Sequence, residues 1–290
     1  MKNYILGLIT SLILIAVFSF SSKTKDLKIE SKAEEVPLVV KEYKTHQFYL
    51  EQAKLWKQEV QLNKKDENAW FNLFKANRYA KMSYNDEHSP KIDWYLNTEW
   101  INEADHLLKG DEIIKQIEEN IPNTFMAYYL RYYNDKNLGG KDFNLLEKAY
   151  SINPNFYEIY DDFVIHYEIE GNNEKRKEFN VKWFNSNDFS ENLLNYHFNV
   201  LSSLKENSVI FSYGDNDFYG PKMVQDALGI REDVTVVNIP MVLSKIEYRN
   251  SIFKKINIKP FNKDFGNDFS ESNMKDMIDY IITNKPKELP

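Results

Sequence analysis

The 290-residue sequence contains no cysteine. That removes disulfides, thiolate zinc sites, thiol nucleophiles and lipidation at a cysteine. Glycine and proline are scarce, at 9 each, which excludes collagen-like and low-complexity classes. Bases are outnumbered: 37 Lys and Arg against 44 Asp and Glu leave a net charge of −7. A chain of that sign lacks the basic footprint that nucleic-acid binding requires. No His-Glu-x-x-His, no glycine-rich phosphate loop and no Gly-x-Ser-x-Gly occurs. What the chain does have is apolar material. Hydrophobic residues make up 42% and aromatics 15%, enough to build a sizeable core and to rule out wholesale disorder.

Lys2 is followed by an apolar run from Tyr4 to Phe20, broken only by Gly7, Thr10, Ser11 and Ser19. A basic start and a run of this length read as a secretory signal peptide cleaved after Ser21, or as an uncleaved membrane anchor. Residues 1–21 are assigned to that role, and the rest of the chain is expected outside the cytoplasm, periplasmic or membrane-anchored. Residues 22–45 are Lys/Glu-rich with one apolar patch, Val36–Val40, and read as a flexible tether.

From 46 to 207 the periodicity is helical and the chain repeats itself. Pro122-Asn123 recurs 32 residues later as Pro154-Asn155. At the same offset Phe125 matches Tyr157, Tyr128 matches Tyr160 and Gly139 matches Gly171. Proline opens helices because its missing N–H is unpaired there anyway, and glycine closes them in a left-handed cap. The stretch Ala149-Tyr150-Ser151-Ile152-Asn153-Pro154-Asn155 resembles the end of a tetratricopeptide repeat's second helix, and Glu158-Ile159-Tyr160 resembles the start of the next unit. Gln61 to Trp70 is similar to the same junction without its proline. The resemblance implies a degenerate array of helical hairpins whose inner surface holds a peptide or helix. Tyr128 and Tyr160 are the candidate partner-binding residues, with gap-filling between helices as the competing role. Met82–Tyr95, outside the repeat period, reads as an excursion loop. Asp162 and His166, four apart on one helix face, read as a charge pair, since no further metal ligand accompanies them.

The period changes at 208. Ser208–Tyr213 and Val234–Ile239 are short runs of strand formers on either side of a helix expected to open at Gly220-Pro221 and end at Gly229. Two helices, Leu243–Lys255 and Ser272–Thr283, are expected to follow. Strand, helix and strand predict a small βαβ unit over 208–290 with parallel strands and ligands at their carboxyl ends. The ending at Lys287–Pro290 reads as the approach to a third strand, which a continuation, the helical array or a partner would replace. Asp215, Asn216 and Asp217 follow the first strand and form the candidate ligand site. Two carboxylates there could hold a divalent cation, and Asp and Asn are also ordinary turn and cap residues. No other cofactor is expected.

Gly214-Asp215-Asn216-Asp217, Gly229–Val234 and Val236-Val237-Asn238 together resemble a segment found outside the membrane in a bacterial family of polytopic proteins related to protein O-mannosyltransferases. That resemblance covers about 35 residues and implies an α/β unit in an envelope setting. Transferase activity does not carry over, because the many membrane spans of that family are absent from this sequence. The expectation is therefore a mainly α protein: a tetratricopeptide-like array, then a small α/β unit. Its expected role is that of an exported scaffold for an envelope protein or peptide, more a binder than an enzyme. The alternative is an envelope enzyme acting on a sugar or nucleotide through Asp215 and Asp217.

Overall fold

The computed structural model describes residues 32–88, 107–135, 142–261, 263–266 and 268–285. The N-terminal apolar run, residues 89–95 of the expected excursion loop, Gly139 and the final five residues lie outside them. Residues 82–88 of that expected loop are helical instead, the last turns of the helix Glu67–His88. The described chain is mainly helical, with two short parallel strands. It divides into two compact units, 1–141 and 142–290. That boundary lies inside the stretch expected to form one array.

Unit 1 contains α1 (His46–Leu62), α2 (Glu67–His88), α3 (Gly110–Asn120) and α4 (Phe125–Asp135). The Thr45 hydroxyl starts α1 by accepting the Phe48 N–H at 3.2 Å, which pairs one of the donors a helix start leaves open. α1 and α2 pack as a hairpin. Ala53, Ala76 and Ala80 are fully buried beside the rings of Tyr49 and Tyr79. Small residues let two helix backbones approach closely. The expected tether is docked here in part. Val36 is completely buried and its N–H donates to Asn72 Oδ1, while the Trp56 indole donates to the Glu34 carbonyl.

Unit 2 begins with α5 (Phe143–Ile152), a 3-10 turn (Tyr157–Ile159), α6 (Tyr160–Glu170), α7 (Asn173–Asn185) and α8 (Glu191–Ser203). Strand β1 (Val209–Ser212), helix α9 (Asp215–Leu228) and strand β2 (Thr235–Asn238) follow, then α10 (Ile239–Ser244), α11 (Ile246–Lys255) and α12 (Glu271–Asn284). The strands pair in parallel, Val209 opposite Thr235 and Ser212 opposite Asn238, as the βαβ pattern predicted. Alternation along the strands separates two cores. Val209, Phe211 and Val237 face a cluster built with α10, α11 and α12. Ile210 packs with Leu201, Val224 and Val234.

Some boundaries differ from expectation. Ile239, expected to end the second strand, opens α10, and the expected helix Leu243–Lys255 is divided between α10 and α11 at Lys245. The helix after β1 starts at Asp215, so Gly220 and Pro221 lie inside it rather than at its opening. Gly214 makes the early start feasible: as N-cap it adopts φ 138° and ψ 170°, a conformation that side chains other than hydrogen resist. Pro221 has no N–H for the Asp217 carbonyl one turn back.

Candidate functional site

The parallel ladder sets the site. The Thr235 N–H donates to the Ser208 carbonyl at 2.9 Å. In a parallel pair, alternate residues direct their backbone groups to the neighbour. Ser208, Ile210 and Ser212 therefore point theirs at β2, and Val209 and Phe211 point theirs the other way. Among the described residues β1 has one strand neighbour, so that outer edge is unpaired by any strand. β2 is different: all four of its residues are buried, and on its far side the Asn238 N–H donates to the Tyr248 hydroxyl at 3.1 Å.

At the carboxyl end of β1 lies a cavity of about 450 Å³. Its walls are Phe211, Ser212 and Tyr213 from the strand and its exit, Ile239 from the start of α10, and Glu271, Met274, Lys275 and Ile278 from α12. The α12 residues fall at the three-and-four spacing of one helix face. The lining is largely apolar, with a Glu and a Lys at its rim. Lys275 is engaged by Asp279 one turn on. Glu271 has no such partner among the described residues.

Asp215, Asn216 and Asp217 occupy the first turn of α9 and are all exposed. Side chains two apart on a helix diverge by about 200°, so the turn does not bring the two carboxylates together. Among the described residues no group of three or more His, Asp or Glu could hold a metal ion. Asp217 instead lies near His197 of α8. His197 is 4% exposed, and its Nε2 is buried without a hydrogen-bond partner. Burial pushes its pKa down, against the Asp217 carboxylate and the Asn216 backbone, which pull it up. The imidazole comes this close to the helix because Gly220 is there: a Cβ at that position would stand 2.0 Å from His197 Cδ2.

Tyr160 was a candidate for a recognition surface. The structure places it inside, 5% exposed, with its ring near Phe179 and its hydroxyl donating to the Pro154 carbonyl at 2.8 Å. Tyr128 is half-buried on α4 and its hydroxyl donates to Asn123 Oδ1 at 2.8 Å. His166 pairs with Glu170 at 3.2 Å and stacks on Phe143, while Asp162 is buried.

Behind the sheet is a charge cluster that sequence reading missed. Glu168 of α6 receives Arg176 Nη1 at 2.9 Å and Lys222 Nζ at 3.0 Å. Arg176 of α7 also grips Asp226 of α9 with two nitrogens, at 2.9 and 2.8 Å. Asn180 adds an Nδ2 donor to Asp226 at 2.6 Å. Two acids and two bases balance. Burial pushes Glu168 up, but Lys222 and Arg176 outweigh it and hold its carboxyl below the usual range. Asp226 is likewise held low by Arg176 against burial. Burial, with Glu168 nearby, pushes the Tyr248 hydroxyl far up. Arg176 and Asp226 are 50 positions apart and Glu168 and Arg176 sit on different helices, so no local spacing announces the cluster; the one signal was charged residues within apolar helix faces.

No helix among the described residues is long and apolar enough to cross a membrane. No curated protein and no solved structure matches the chain. Residues 194–287 match a family model described as TMEM260-associated domain 2. That stretch contains β1, α9, β2 and α12, and with them the cavity and the Gly214–Asn238 motif.

Proposed function

We propose that this chain is an exported helical scaffold of the bacterial envelope that holds a protein or peptide partner in a glycosyltransferase-associated setting. The observation that carries the binding role is the apolar cavity at the strand ends, where open α/β sheets place their ligands. The setting is supported by the TMEM260-associated match together with the resemblance of Gly214–Asn238 to a family related to protein O-mannosyltransferases. Tetratricopeptide-like hairpins form the rest of the scaffold; the buried alanines between α1 and α2, and Ala149 in α5, support that reading. The N-terminal apolar run supplies export, and retains the chain at the membrane if uncleaved.

The test is cross-linking capture from envelope fractions with the full chain and with Ile278→Trp, which fills the cavity. Wild type should retain a specific partner and the variant should lose it at an unchanged melting temperature. Equal capture by a folded variant would sink the assignment of the site. A fusion of residues 1–45 to a reporter active only outside the cytoplasm checks export, and an inactive fusion refutes it.

A further inference from the structure

We infer that the outer edge of β1 is a receptor strand: an extended basic–apolar peptide segment of the partner adds alongside it and seats one apolar side chain in the cavity. This rests on the reading of the cavity as the partner site and names the chemistry of the occupant. The backbone of Val209 and Phe211 turns away from β2 and has no strand neighbour among the described residues. An unpaired row of strand N–H and C=O groups is complementary to one thing above all, another extended backbone. The cavity opens at the end of the same strand, since Phe211, Ser212 and Tyr213 form one of its walls. A strand added at this edge alternates its side chains between the two faces of the sheet. Those on the Phe211 face are directed toward the space between β1 and α12, which Met274 and Ile278 line. Tyr213 is 60% exposed beside it and offers a ring with a polar tip, the kind of anchor that dominates binding energy at interfaces.

Charge selects the peptide. Glu271 is the uncompensated charge at the cavity rim among the described residues, because Asp279 already engages Lys275. Asp215, two residues beyond Tyr213, is also exposed. An apolar residue flanked by Lys or Arg therefore suits this edge, and an acidic peptide is repelled from it.

The test uses the full chain and a short capped peptide that alternates lysine and valine around a central phenylalanine, with binding read by fluorescence anisotropy. Saturable binding is expected. Methylating the backbone nitrogens on the peptide edge that meets β1 should weaken it about tenfold or more. Methylating the intervening nitrogens should leave it within about twofold. Val209→Pro removes one outward N–H of β1 while the inward-facing ladder residues keep theirs, and should weaken binding. If that variant unfolds, the methylated peptides on wild type still decide. Glu271→Lys should weaken binding several-fold at low salt, with the difference shrinking as salt rises. No saturable binding, or equal effects of the two methylation patterns, would overturn the inference. Should the peptide fail while Ile278→Trp still abolishes partner capture, the cavity remains the partner site and only the strand-addition mode falls.

Discussion

At the residue scale the contact between His197 and Gly220 makes two expectations. A methyl group at 220 would stand 2.4 Å from His197 Nε2 as well as 2.0 Å from Cδ2. Both partners are buried, so the ring has nowhere to retreat. Gly220→Ala should destabilise the protein by about 1–3 kcal/mol, read by urea unfolding; an unchanged midpoint would show that the ring can move. The second expectation is a pH dependence. The folded-state pKa of His197 is lowered from 6.5 by burial, so near and below 6.5 the unfolded chain binds a proton that the folded chain resists. Stability is then full above pH 6.5 and falls as pH drops below it. In His197→Asn the decline just below 6.5 should flatten, with urea midpoints across that range as the check. Asp215 and Asp217 belong to the same turn. Diverging side chains offer no shared cation site, so Mg²⁺ and Mn²⁺ should leave the melting temperature unchanged. A rise that the double variant Asp215→Asn, Asp217→Asn removes would reverse this and favour the enzymatic alternative.

At the element scale, unit 2 is clamped by charge as well as by apolar packing. α6, α7 and α9 meet at Glu168, Arg176, Lys222 and Asp226, all nearly buried. Removing one member strands the others without water. Glu168→Gln should cost about 3–5 kcal/mol, because two cations lose their common partner. Replacing the whole set with apolar residues should cost far less, which is the control that separates the pair's net worth from the penalty of orphaning. Helices and strands were legible because apolar residues in each follow the period of its own geometry; β1 and β2 needed only a run of Val, Ile and Phe. The start of α9 was not legible. Pro221 imitates a first-turn proline, whereas the helix is already under way from Asp215 after the Gly214 cap. Ala149, placed by the repeat resemblance near the end of a second helix, is fully buried. Ala149→Leu should overpack its surroundings by about 1–3 kcal/mol, with thermal melting as the readout.

At the scale of the whole molecule, the segment that matches the TMEM260-associated domain and the segment that folds do not coincide. The match spans 194–287, whereas the compact unit begins at Asp142. The difference contains α5, α6 and α7, and those helices carry Glu168, Arg176 and Asn180. Lys222 and Asp226 lie inside the match and bond to them. Ile165 and Ile169 of α6 also cover the core cluster that backs the sheet. Cutting at 194 would expose that apolar face and leave Lys222 and Asp226 without their partners, and a two-stranded sheet is marginal alone. We therefore expect residues 142–290, expressed by themselves, to unfold cooperatively in urea with a cavity that still takes the peptide probe. Residues 194–287 should show a shallow, non-cooperative transition and exposed apolar surface. Adding Lys222→Met and Asp226→Leu to the short fragment should recover part of the loss, since these substitutions remove the orphaned charges but not the missing cover. A sharp transition in the unmodified short fragment, at the midpoint of the longer one, would mean that α5 to α7 are accessory and that the charge cluster contributes little to holding the site in shape.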